Sequence, residues 1–177
     1  DTLAKIGSSK TGASGAAVLN SISGKSPEAA FASLAKNASN PRLAYIFERI
    51  GMLMNVLTQQ GIEIKVNGVS NLRLFDKKAS GTTQYNFAVK TITVSYERTK
   101  IDALSLENTL AHEGLHAVTG ALVEANKNAQ WREANPELSK RISELENLFK
   151  MAKIGLRDMA LGTDLFRHAT SNLHEFI

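Results

Sequence analysis

Residues 112–116 read His-Glu-Gly-Leu-His inside a stretch otherwise patterned as a buried helix, and no other feature constrains the fold as tightly. Positions four apart on a helix lie one above the other on the same face. His112 and His116 therefore offer two imidazole nitrogens to one point, and Glu113 projects beside them. Two neutral imidazoles able to hold one metal ion, next to a carboxylate that can take a proton from a water there, are the parts of hydrolytic zinc chemistry. Two core histidines bonded to main-chain carbonyls would match the spacing equally well. A core, however, has little reason to add an acid between them.

The surrounding helix is expected to start at Ser105 as N-cap and to run to about Asn126. At 100° per residue Ser105, Thr109, His112, His116, Gly120 and Val123 share one stripe, with Glu113 on its edge. Leu106, Leu110, Ala111, Leu115, Ala117, Val118, Ala121 and Leu122 cover the remainder. The expectation is a helix buried nearly all round, with one polar strip facing a cavity.

Upstream, residues 1–26 are rich in Ser, Gly and Ala from position 7 onward and read as a flexible lead-in. Gly24-Lys25-Ser26 looks like the end of a phosphate loop, but Leu19 stands where that loop needs glycine. Ser26-Pro27-Glu28 opens a short helix to about Ala38. Asn40-Pro41 opens a second, with Leu43, Ile46, Phe47, Ile50, Leu53, Met54 and Leu57 at helical spacing and a stop at Gly61. The period then changes to two. Ile62, Ile64 and Val66 alternate with polar residues, Asn67-Gly68 is a hairpin signal, and Val69–Phe75 is the expected returning strand. Thr83–Ala88 and Thr91–Tyr96 are two further strands joined by a tight turn near Val89 and Lys90. After the His-Glu helix, Asn135-Pro136-Glu137 starts another, whose Leu138, Ile142, Leu145, Phe149 and Ala152 form one apolar seam; Gly155 is expected to end it. A last helical stretch holds Leu161, Asp164, His168 and Glu175.

Composition narrows the options. At 177 residues the chain suits one domain, expected over 27–177. The absence of cysteine excludes a disulfide framework and a thiolate zinc site, so any metal must be held by His and carboxylate. The net charge of +4 comes from scattered Lys and Arg without interleaved aromatics, which reads as a solvated surface rather than a nucleic-acid partner. No run is long enough to cross a membrane and no secretory signal is seen, so a cytoplasmic or virion-associated location is expected. The chain begins with Asp1 rather than Met, as a piece excised from a longer polypeptide would.

Two histidines need a third protein ligand, with water in the fourth position. Spacing leaves Asp164, His168, His174 and Glu175 all open. Strand, tight turn, strand and then the His112-Glu113-Gly114-Leu115-His116 helix, followed by Asn172-Leu173-His174-Glu175-Phe176-Ile177, resembles zincin metallopeptidases of the gluzincin branch. The likeness is to the zincin domains of large polyvalent phage proteins and, more distantly, to anthrax lethal factor; it spans about residues 83–125 and 165–177. The resemblance implies an α+β, zincin-like fold: a small, mostly antiparallel sheet packed against the HExxH helix, with additional helices. It implies Glu175 as third ligand, with Asp164 as the alternative, and zinc (Zn2+) held by His112, His116 and Glu175. It also implies Glu113 as general base and a protein or peptide as substrate. His168, seven residues before Glu175, would supply the oxyanion donor that a Tyr supplies in lethal factor-like enzymes. In zincins the strand edge before the active helix pairs with extended substrate, a role the likeness gives to Thr91–Tyr96. The implied function is a zinc metallopeptidase within a larger polypeptide or virion assembly. The alternative is a zincin-fold structural or delivery module without turnover.

Overall fold

Ser26 and Asn40 break the N-terminal half of the chain into separate helices, because each offers its side-chain oxygen to a main-chain N–H three residues on (Ala29 N at 3.3 Å, Leu43 N at 3.0 Å). A computed structural model describes residues 15–74, 77–99 and 102–157. Among them, α1 (Gly15–Ile22), α2 (Pro27–Asn37) and α3 (Pro41–Gln59) lead into β1 (Glu63–Val69), β2 (Arg73–Leu74), β3 (Lys77–Lys78), β4 (Gly81–Asn86) and β5 (Thr91–Glu97). Three helices follow: α4 (Ala103–Ala125), α5 (Ala129–Ala134) and α6 (Pro136–Arg157). The architecture is α+β with a small mixed sheet. No helix among the described residues is long and apolar enough to cross a membrane.

α3 stops where the sequence predicts. Gly61 has φ +82°, and the N–H groups of Gly61 and Ile62 turn back to the carbonyls of Thr58 and Leu57 at 3.0 and 3.1 Å. This double bond with a left-handed residue is the usual helix stop, and only glycine adopts it without strain. The stretch read as a flexible lead-in contains α1, whose Val18 and Ile22 are buried. An apolar pair four apart can form a helical face once something covers it, and composition alone does not see the cover.

The chain divides into two compact units, Asp1–Val118 and Thr119–Ile177. In the first, α2 and α3 pack through Phe31 and Phe47, whose rings meet edge to face at 5.9 Å. Ile50 and Met54 of α3, Ile92 and Val94 of β5, and Leu106 and Leu110 of α4 complete a core that is 0–1% exposed at each of these residues. Full burial of such side chains stabilises by about 1.5–3 kcal/mol apiece before ordering costs. In the second unit, Arg132 Nη1 donates to the carbonyls of Asn126 and Lys127, both at 2.9 Å, closing the end of α4. α6 runs through Gly155 to Arg157 rather than ending there, since an isolated glycine costs a helix only about 1 kcal/mol.

The sheet departs most from expectation. Its order is β1-β5-β4, with β1 parallel and β4 antiparallel to β5. Asn67-Gly68 makes no hairpin; β1 runs straight through it, and Gly68 lies opposite Tyr96. A Cβ on Gly68 would stand 3.0 Å from the Tyr96 hydroxyl, so this glycine makes room for a ring instead of a turn. The expected returning strand Val69–Phe75 is replaced by a two-residue ribbon, β2 against β3. The mostly antiparallel sheet of the sequence reading is therefore a mixed one. The β4–β5 hairpin forms as predicted, with Lys90 at φ +53° in its turn.

Candidate metal centre

α4 carries the motif. Its N-cap is Asp102 rather than Ser105: Asp102 Oδ2 accepts the Ser105 N–H at 2.7 Å, and Leu106 N–H reaches the Asp102 carbonyl at 3.2 Å. A carboxylate at this end also opposes the positive pole of the helix. The far end, at Ala125, falls within one residue of the prediction.

His112 and His116 turn their Nε2 atoms toward each other, 2.9 Å apart, with ring centroids separated by 4.3 Å and planes crossed at 85°. Two Zn–N bonds of ~2.0–2.1 Å at a tetrahedral angle set the nitrogens roughly 3.3 Å apart, a small opening of the observed pair. His112 is exposed while His116 is buried. One edge of the pair thus meets solvent and the other the interior.

Glu113 is only 6% exposed and lies under β4. The Thr83 hydroxyl stands 2.7 Å from its Oε2 and 3.0 Å from its main-chain oxygen. Gly81 comes closer still: a Cβ there would meet Glu113 Cγ at 2.6 Å and Thr109 Cγ2 at 2.8 Å. Two residues further along β4, the Tyr85 hydroxyl donates to the His116 carbonyl at 2.5 Å. Alternate residues of one strand thus stitch to successive turns of one helix.

The other flank of α4 meets α2 and α3. A Cβ on Gly114 would stand 2.7 and 2.8 Å from two Phe31 ring carbons and 3.0 Å from Ile50 Cδ1, so the small residue inside the motif is demanded by packing. Glu107, 2% exposed, accepts the Ser39 N–H at 2.9 Å through Oε1, while its Oε2 has no hydrogen-bond partner among the described residues. Between these two covered flanks, Leu104, Asn108, His112 and Leu115 remain exposed. The helix is therefore not buried nearly all round; it opens on the stripe that carries one of the two imidazoles.

Among the described residues no cluster of three or more His, Cys, Asp or Glu could hold a metal ion. His168, Glu175 and the alternatives Asp164 and His174 lie outside the described residues. The two imidazoles come together, and the neighbouring Glu113 carboxylate is held by Thr83 of β4; the third donor is not among the groups described around them.

β5 does not offer the strand edge expected of Thr91–Tyr96, because β1 and β4 pair on both of its sides. Glu97 N–H bonds the Ser80 carbonyl at 2.8 Å, which sets the bonded pairs of the β4–β5 ladder at 80/97, 82/95 and 84/93. By alternation the main-chain groups of Gly81 and Thr83 point to the outer edge of β4, with which no strand pairs among the described residues. Sequence reasoning overlooked Gly81, Thr83 and Tyr85. Their signal is a period-two placement of a glycine and two hydroxyls on the inward face of a predicted strand.

No family model, curated protein or solved structure matches this chain.

Proposed function

We propose that this chain is a zinc-dependent metallopeptidase domain of zincin-like fold. The observation that carries the reading is the convergence of His112 and His116 Nε2 at 2.9 Å beside a buried Glu113. The layout around them supports it: an antiparallel strand lies along the motif helix with its outer edge unpaired among the described residues. The donor chemistry fits zinc, being two imidazoles with carboxylates available and no thiolate in the chain.

His112 and His116 would hold the ion, and by resemblance Glu175, or Asp164 in its place, would complete the protein ligands. When bound, zinc supplies a Lewis acid and lowers the pKa of water toward ~7. Glu113 accepts the proton of the attacking water and passes it to the leaving amine. His168, by the same resemblance, donates to the oxyanion. Gly81 and Thr83 offer main-chain N–H and C=O groups to an extended peptide laid along β4, which orients the scissile bond across the open stripe of α4.

Elemental analysis of the purified protein is expected to find about one zinc per chain. Cleavage of an unfolded protein substrate should be abolished by a chelator and reduced at least ~100-fold in Glu113→Gln, with zinc retained. Folded protein that takes up no zinc would overturn the reading. Zinc without any cleavage, unchanged by Glu113→Gln, would identify a zincin-fold structural or delivery module instead.

A further inference from the structure

A base at a hydrolytic site has to be held still as well as supplied, and β4 helps to hold Glu113. The Glu113 stem is pressed by Gly81, where a Cβ would stand 2.6 Å from Cγ and 2.9 Å from Oε1. Its other carboxylate oxygen, Oε2, lies 2.7 Å from Thr83 Oγ1. That hydroxyl has one proton and two acceptors in reach, the carboxylate and the Glu113 carbonyl at 3.0 Å. The charged group is the stronger acceptor. Thr83 is also β-branched, which restricts the torsion that directs its hydroxyl. The same main chain points its N–H and C=O to the outer edge of β4, as the ladder alternation requires.

We propose that Thr83 is the positioning residue of the general base, coupling the orientation of Glu113 to a peptide strand paired along the outer edge of β4. This rests on the metallopeptidase reading and deepens it. One stiff residue carries both the substrate register and the carboxylate direction, so a peptide seated on the strand finds the base already aimed.

The test compares the full-length wild type with Thr83→Ser and Thr83→Val, with Thr83→Ala as a smaller second variant that removes the hydroxyl. Two readouts are needed. In a denaturant double-mutant cycle with Glu113→Ala, the hydroxyl and the carboxylate are expected to couple by about tenfold in the unfolding equilibrium constant. Effects that simply add would mean that Thr83 serves only the Glu113 carbonyl, and would overturn the proposal. On a peptide substrate, Thr83→Val and Thr83→Ala are expected to lose about tenfold to a hundredfold in kcat, with KM and zinc content unchanged, while Thr83→Ser recovers most of the loss. An unchanged kcat, or a loss confined to KM, in an active zinc-bound background overturns this inference alone. A zinc-free, inactive wild type overturns the metallopeptidase reading and this one with it.

Discussion

At the scale of single residues, two glycines show how the site is packed. Gly114 sits inside the motif because Phe31 occupies the space of its side chain, and Gly81 sits on β4 because Glu113 and Thr109 occupy that of its own. Gly114→Ala is expected to lower stability by about 1–3 kcal/mol, since the aromatic ring it would strike is itself fully buried and cannot retreat. Equilibrium unfolding in urea measures this directly. Local spacing is enough to bring His112 and His116 together, because residues four apart on a helix meet whatever surrounds them. The partners that fix Glu113 lie 30 residues away in sequence and are invisible to spacing.

Single elements separate what is local from what is not. α3 is legible from end to end: Asn40 caps it, its apolar stripe is buried and Gly61 stops it. The link from the sheet to α4 is not. There Glu97, at the end of β5, accepts from Leu72 N–H at 2.7 Å and from Thr99 through both N–H (3.0 Å) and hydroxyl (2.7 Å). These bonds, Thr99's first, hold its carboxyl below the ordinary carboxylate range. A depressed carboxyl stabilises the fold above its unfolded-state value, and that contribution disappears as pH falls through the folded-state value. Glu97→Gln is therefore expected to be less stable than wild type at neutral pH, with the gap closing as pH drops below the ordinary carboxylate range. Thermal unfolding of the two proteins across that acid range checks the sign.

For the whole molecule, a bound metal is expected to act as a folding ligand. Zinc at a thousandfold excess over its dissociation constant adds about 4 kcal/mol, which for a chain of this size raises Tm by roughly 10 °C. Calorimetry with and without chelator should show that shift in wild type and lose it in His112→Ala and His116→Ala. By itself the sequence determined α2 and α3 with their caps, and the meeting of two imidazoles, because each follows from contacts within a few residues. Only the tertiary structure decided that Asn67-Gly68 lies within a strand, that β5 is central with β4 at one edge among the described residues, and that Thr83 grips Glu113. Strand order and direction are settled by pairing between distant segments. A glycine beside an asparagine turns or runs straight according to whether a neighbour such as Tyr96 is there to fill its face.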